Sequence, residues 1–270
     1  MKNIRAIVLR TAGTNCDKET VFALLTAGAD VDLVHTNEIV RGEKKLDNYH
    51  LMAIPGGFSF GDDISAGKIL ANEMVYKFSE QMDKFVADGK LIIGICNGFQ
   101  VLVKTGLLPG LNAKAGSSGI TKQKVTVFDN DSGKFECRWI HLKHSENSKC
   151  IFTKGIERVI YLPVAHGEGK LIFDNQSTRE KLWKNNQVVF QYCDEKGNSG
   201  PYPVNPNGSE DDIAGICNST GRVFGLMPHP ERNIMKYHHP QWTRNEIGGN
   251  HSDGFLIFKN ACDFARSEIV

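Results

Sequence analysis

Leu91–Ile95 contains no polar residue. A strand of that kind is buried on both faces, so it belongs inside a parallel sheet covered by helices. Ile4–Leu9, Val31–His35 and His50–Ile54 also read as strands. Between them, Asp17–Ala27 reads as a helix ended by Gly28. Ala66–Val86 carries apolar residues at Ile69, Leu70, Met74, Val75, Phe78, Met82, Phe85 and Val86, close to the helical period, and Gly89 ends it. Asn97–Thr105 reads as a third helix, ended by Gly106. This alternation predicts an α/β fold: an open, mostly parallel sheet with helices on both faces.

The second half is richer in strands. Lys124–Phe128 and Lys134–His144, joined by Asp129-Asn130-Asp131-Ser132-Gly133, read as a hairpin. Arg158–Val164, Gln187–Cys193, Ile213–Cys217 and Arg222–Met227 read as further strands, the last two joined by the turn Asn218-Ser219-Thr220-Gly221. Ser252–Ala265 reads as a closing helix. The expectation is an antiparallel, strand-rich extension of the parallel sheet. A length of 270 residues allows one domain or two. No internal repeat or low-complexity linker divides the chain, so residues 1–270 read as one domain.

Lys and Arg number 32 against 31 Asp and Glu, a net charge of +1. That excludes a broad polybasic surface and argues against nucleic acid or anionic lipid as the main partner. No apolar run approaches the roughly 18 residues of a membrane span. Met1–Arg10 reads as the start of a strand, not as a signal peptide. The seven cysteines are odd in number, irregularly spaced and without a C-x-x-C pair. They suit neither a disulfide framework nor a structural zinc site, and the reading is a reducing cytoplasm.

One cysteine stands apart. Gly94-Ile95-Cys96-Asn97-Gly98 joins the apolar strand to a helix in the pattern of a nucleophile elbow, with cysteine in place of serine. The sharp turn lifts the side chain above the sheet, and the helix N-terminus sets partial positive charge beside the sulfur, which favours thiolate. The Asn97 N–H can face a developing oxyanion. A buried structural cysteine at a tight strand–helix turn remains the alternative from the pattern alone.

A nucleophilic thiol needs a base and a group that orients it. Gly225-Leu226-Met227-Pro228-His229-Pro230-Glu231 offers both. Positions i and i+2 of an extended segment point the same way, so Glu231 can accept the Nδ1 proton of His229 and turn Nε2 toward the thiol. A plain turn leading toward the last helix is the competing reading. Ile54-Pro55-Gly56-Gly57-Phe58 runs a strand into a glycine pair, whose backbone N–H groups can bind a carbonyl oxygen or a carboxylate.

Together these runs resemble class I glutamine amidotransferases, and within that class the glutaminase subunits of phosphoribosylformylglycinamidine synthase. The resemblance covers nearly the whole chain. It includes Arg10 with Gly13-Thr14-Asn15-Cys16-Asp17, and Pro55-Gly56-Gly57-Phe58-Ser59-Phe60-Gly61-Asp62. The elbow through Gln100, Pro163-Val164-Ala165-His166-Gly167-Glu168-Gly169, Asn205-Pro206-Asn207-Gly208-Ser209 and Gly225–Arg232 extend it. The resemblance implies Cys96 as nucleophile, His229 as base and Glu231 as its orienter. The oxyanion donors it implies are N–H groups near Gly57 or Phe58 and of Asn97. Gly56, Gly57, Phe58, Asn97, Gln100, His166 and Gly167 are the implied substrate contacts, with Ala165–Glu168 as a strand-end loop closing on the substrate. His166 is also a candidate second base, although no acidic orienter is evident beside it. The other six cysteines read as structural.

The reaction implied is hydrolysis of L-glutamine through a Cys96 thioester. The ammonia would pass to a separate synthetase subunit of phosphoribosylformylglycinamidine synthase, with or without a small accessory subunit, making formylglycinamidine ribonucleotide in purine biosynthesis. No Walker-type phosphate loop occurs in this chain, so ATP and Mg2+ are expected on that partner, with no cofactor and no metal here. The chain departs from the family at Ala12, where proline is frequent, and in a longer Asn233–Asn250 stretch. There His238-His239 reads as part of a solvated insertion or a partner-docking loop. Asp129–Cys150 and Asp194–Asp212 are the other candidate partner contacts. Competing readings are a γ-glutamyl cysteine hydrolase on the same fold, a non-catalytic assembly subunit, and a glutaminase serving another synthetase.

Overall fold

The computed structural model describes residues 3–111, 122–244 and 249–270. Met1 and Lys2, at the start of the first expected strand, and residues 245–248 of the Asn233–Asn250 stretch lie outside the described residues.

The first half alternates as expected: β1 (Arg5–Arg10), α1 (Asp17–Thr26), β2 (Asp30–His35), α2 (Thr36–Val40), β3 (Leu51–Ile54), α3 (Lys68–Lys77), α4 (Ser79–Ala87), β4 (Leu91–Ile95) and α5 (Asn97–Lys104). The second half adds β5 (Val125–Asp129), β6 (Glu136–His144), β7 (Ile160–His166), β8 (Glu168–Phe173), α6 (Gln176–Lys184), β9 (Val188–Cys193), β10 (Ile213–Cys217), β11 (Val223–Leu226) and α7 (Phe255–Glu268). Among the described residues, nine strands form one sheet in the order β2-β1-β3-β4-β11-β10-β9-β6-β7. From β2 to β11 neighbouring strands run parallel. From β11 to β7 every pairing is antiparallel. The strand-rich extension therefore continues the parallel sheet. β3 and β4 are buried at every residue, which is why their sequences lack alternation.

The path from β1 to β2 and the path from β3 to β4 run in opposite directions across the sheet. Right-handed crossovers then put α1 and the α3–α4 pair on opposite faces. α1 packs with α7, and α3 with α5. The strand order reverses between β1 and β3, and open α/β sheets bind ligands outside the carboxyl ends of the strands at such a point.

Two expectations need correction. The single helix over Ala66–Val86 is two, broken at Phe78 (φ −145°, ψ 31°). Leu70, Met74, Phe78 and Met82 are spaced by four residues and are all buried. On a straight helix that spacing drifts around the axis by about 40° per step. The break takes up the drift and keeps all four on the core. The expected hairpin of Lys124–Phe128 with Lys134–His144 does not form. β5 pairs with β8 in a separate two-stranded sheet, and β6 lies between β9 and β7. Asn130 is the reason: its side-chain amide donates to the Lys134 and His166 carbonyls, 2.8 Å each, so the turn is pinned to the end of β7.

β8, α2 and α6 were not anticipated. Ala165–Glu168, expected as a loop, is the continuous passage from β7 to β8 with only Gly167 between them. No helix among the described residues is long and apolar enough to cross a membrane.

Candidate active site

Cys96 ends β4 and begins α5 in the left-handed region (φ 51°, ψ −107°), a conformation that costs energy for any residue with a Cβ. The chain is held there from several sides. The Cys96 N–H donates to the Leu226 carbonyl at the end of β11, at 2.8 Å. A Cβ at Gly98 would collide with the Ile54 carbonyl oxygen, so only glycine lets α5 lie this close to β3. The Cys96 thiol donates to the Ala165 carbonyl at 3.5 Å.

β11 runs beside β4, so the segment after it returns to the same sheet edge. His229 is fixed there by its N–H, which donates to the Pro163 carbonyl at 2.8 Å. Glu231 Oε1 lies 2.6 Å from His229 Nδ1, both side chains buried. The pair forms by a route other than the extended segment read from the sequence. Pro230–Arg232 is one turn of 3-10 helix with His229 at its N-cap, and the turn brings residues two apart together. His229 Nε2 is buried without a hydrogen-bond partner among the described residues, and the sulfurs of Cys96 and Cys16 both lie beside the ring. Burial works against a charged His229, but the Glu231 carboxylate, then the sulfurs of Cys96 and Cys16, outweigh it and hold the imidazole pKa well above its ordinary value.

Gly57 (φ 143°) follows β3, and a Cβ on it would sit 2.7 Å from both the Asn15 nitrogen and the Gly13 oxygen. The Phe58 N–H, one of the two expected oxyanion donors in this loop, is occupied by the Gly13 carbonyl at 2.9 Å. The Gly57 N–H has no bond among the described residues, and the Asn97 N–H opens α5, where no preceding carbonyl can take it. Those two are the available donors. Cys96, Gly57, Phe58, Gln100, His166 and Gly167 all line one cavity of 550 Å³, joined by Asp62, Glu168, Lys134 and Phe135. The Asn97 side chain faces elsewhere: it accepts from Ser59 N–H and Oγ and donates to Asp62 and Gln100. It thereby holds a loop whose Phe60, Gly61 and Asp62 all have positive φ. Gly56 does not line the cavity; it packs among His229, Cys16 and Cys96.

A model of the CobB/CobQ-like glutamine amidotransferase domain matches residues 3–265. A phosphoribosylformylglycinamidine synthase subunit PurQ from Dehalococcoides mccartyi is 48% identical over 98% of this chain and 99% of its own. One from Methanococcus maripaludis is 41% identical over 96% and 97%. The chain belongs to the PurQ-type glutamine amidotransferases. Among solved structures, one titled as PurLQS from Thermotoga maritima superposes with a TM-score of 0.72 at 32% identity, covering 97% of this amidotransferase and 99% of that chain.

His166 of this amidotransferase is buried, with Nδ1 3.0 Å from Asn130 Oδ1 and Nε2 unpartnered among the described residues. Burial, then the neighbouring His229, push its pKa down to about 3. A neutral amide beside it and a suppressed basicity do not suit a second base. Its place in the cavity wall suits substrate contact. Asp62, by contrast, has its pKa raised by burial despite bonds from the Gly67 N–H and Asn97. Gln100 Nε2 donates to the Glu168 carbonyl at 2.6 Å, so α5 and the start of β8 form one wall.

In the Asn233–Asn250 stretch the two histidines serve different neighbours. The His238 ring lies against Phe22 and Tyr237, and His239 against Trp139 and Tyr161. Sequence reasoning missed Asp62, Asn130 and Cys16. Asn130 read as a turn residue and Cys16 as a bystander, and only the fold brings them to the site.

Proposed function

We propose that this chain is the glutaminase subunit of a phosphoribosylformylglycinamidine synthase, hydrolysing L-glutamine and supplying the ammonia to a synthetase subunit. The observation that carries the reading is Cys96 on its left-handed elbow, in a cavity wall, beside a buried His229–Glu231 pair. In this reading the Cys96 thiolate attacks the γ-amide carbon of glutamine. The Gly57 and Asn97 N–H groups receive the oxyanion, and His229, held in one tautomer by Glu231, protonates the leaving nitrogen. The C–N bond breaks and ammonia leaves a thioester. Water, deprotonated by His229, then cleaves the C–S bond, giving glutamate and free Cys96. Gln100, His166, Gly167 and Phe58 hold the rest of the substrate. The carboxylates of Asp62 and Glu168 in the same wall suit its ammonium group.

The likeness to PurLQS of Thermotoga maritima supports an assembly with a synthetase subunit and a small accessory subunit. ATP and Mg2+ then belong to the synthetase, and this chain works as one domain in the cytoplasm, where its cysteines, all free here, stay reduced. The test is alkylation with a glutamine-analogue electrophile followed by peptide mapping. The modification is expected on Cys96, protected by glutamine. Modification at another cysteine, or turnover surviving Cys96→Ala in the assembled synthase, overturns the reading.

A further inference from the structure

Cys16 differs from the other buried thiols. Cys150, Cys217 and Cys262 belong to the hydrophobic core and Cys193 ends β9 outside it, whereas Cys16 lies among charged groups behind the His229–Glu231 pair. Its sulfur accepts from Arg232 Nη2 at 3.0 Å, lies 3.9 Å from His229 Nδ1, and donates to Asn15 Oδ1 at 3.3 Å. It reaches this place because the Cys16 N–H is bound to the Gly56 carbonyl at 3.2 Å, which ties the start of α1 to the loop beneath the elbow. The donor atoms of Cys16, His229 and Glu231 all lie within 4.8 Å of one another, and the cation held there is the Arg232 guanidinium.

Arg232 is the residue after Glu231, and Glu231 Oε2 is buried with no hydrogen-bond partner among the described residues. A guanidinium prefers a carboxylate in a two-pronged pairing, which is stronger than a single bond to imidazole or sulfur. Such a pairing would draw Glu231 away from His229. The Cys16 sulfur occupies the guanidinium instead and closes off the Nδ1 edge of the ring. We infer that Cys16 is a positioning residue: by holding Arg232 it keeps Glu231 on His229 Nδ1 and leaves Nε2 to Cys96. The inference rests on the assignment of Cys96, His229 and Glu231 under the proposed function.

The experiment is a set of variants assayed for glutamine hydrolysis in the assembled synthase, each first checked for a native thermal transition. Cys16→Ala is expected to lose about 10- to 100-fold in kcat, the cost of a misplaced catalytic group, with KM for glutamine unchanged. Cys16→Ser, whose hydroxyl also accepts from Arg232, retains most of kcat. Adding Arg232→Met to Cys16→Ala removes the competing cation and restores kcat toward the parent. A packing role for Cys16 predicts the opposite, a double variant no better than the single one, because shortening Arg232 as well removes further packing at the same contact. Unchanged kcat in Cys16→Ala, or no recovery in the double variant, overturns the inference. Cys96→Ala in parallel tests the underlying assignment: turnover persisting there removes the triad itself, whereas a silent Cys96→Ala beside a fully active Cys16→Ala removes only the role of Cys16.

Discussion

Glu231 Oε1 sits 2.6 Å from His229 Nδ1 across two residues of a single 3-10 turn, with neither side chain reaching solvent. In that setting the carboxylate fixes the imidazole tautomer and supplies the charge that overcomes burial of the ring. Glu231→Gln keeps the shape and removes the charge. It is expected to lower kcat for glutamine on the order of 10⁴-fold, as loss of the acidic member's charge does in comparable triads, with a small change in KM. The His229 pKa falls as well, which NMR titration of the ring reports. A glutamine variant with near-parent kcat sinks the role given to Glu231.

Gly98→Ala sets two effects against each other. Gly98 is within α5, where alanine is favoured over glycine by about 1 kcal/mol. Its Cβ, however, would collide with the backbone carbonyl oxygen of Ile54, which cannot rotate aside. Overpacking of a buried contact costs about 1 to 3 kcal/mol, and a clash with backbone falls at the upper end. The net expectation is a loss of about 1 to 2 kcal/mol by denaturant unfolding, accompanied by slower alkylation of Cys96 as the elbow shifts. A more stable variant would mean that helix propensity wins at this position.

The parallel half was legible because its signals are local. Apolar strands such as Leu91–Ile95, the glycine after each helix and the spacing of Gly94, Cys96 and Gly98 each reflect a short stretch of chain. The elbow at Cys96 and the pairing of His229 with Glu231 were legible for the same reason, although the turn that brings the pair together is helical, not extended. What escaped depends on contacts far apart in sequence. β5 chooses β8 over β6 because Asn130 reaches His166, 36 residues away. Cys16 meets Arg232 across 216 residues. Asn130 reads locally as a turn residue, and the Gly13–Asp17 run that carries the family resemblance gives the Cys16 sulfur no role of its own.

The thiols divide by environment, and their reactivity is expected to follow. Cys137 is exposed on β6, while burial pushes Cys193 up to about 11 and Cys262 up to about 12. A hydrogen bond with Cys150 that holds the neutral thiol, then burial, raises Cys217 as well. At pH 8 the native protein is expected to take up a charged alkylating reagent far faster at Cys137 than at Cys193, Cys217 and Cys262, which are modified only on unfolding. Peptide mass mapping over time reads this directly. Equal native rates at Cys137 and Cys262 contradict the burial order.

His166 makes acid stability a property of the cavity wall. Its folded pKa is about 3 against an ordinary 6.5, so between those values the unfolded chain binds the proton and the folded chain does not. Stability must then rise with pH through that window and fall as the solution is acidified below 6.5. His229 does not offset this. Its folded pKa is raised, so below 6.5 it is protonated in both states, and its contribution is lost only as pH rises toward the folded value. His144 and His141, both lowered by burial, add in the same direction as His166. His166→Gln removes one titrating group and keeps an amide that can bond Asn130. Between pH 6.5 and 5, above the range of ordinary carboxylates, the variant is expected to lose stability less steeply than the parent. The difference approaches about 1.4 kcal/mol per pH unit, the value for one proton. Denaturant unfolding at three pH values across that interval measures it. Parallel stability curves for the two proteins would show that His166 takes up its proton in the folded state after all.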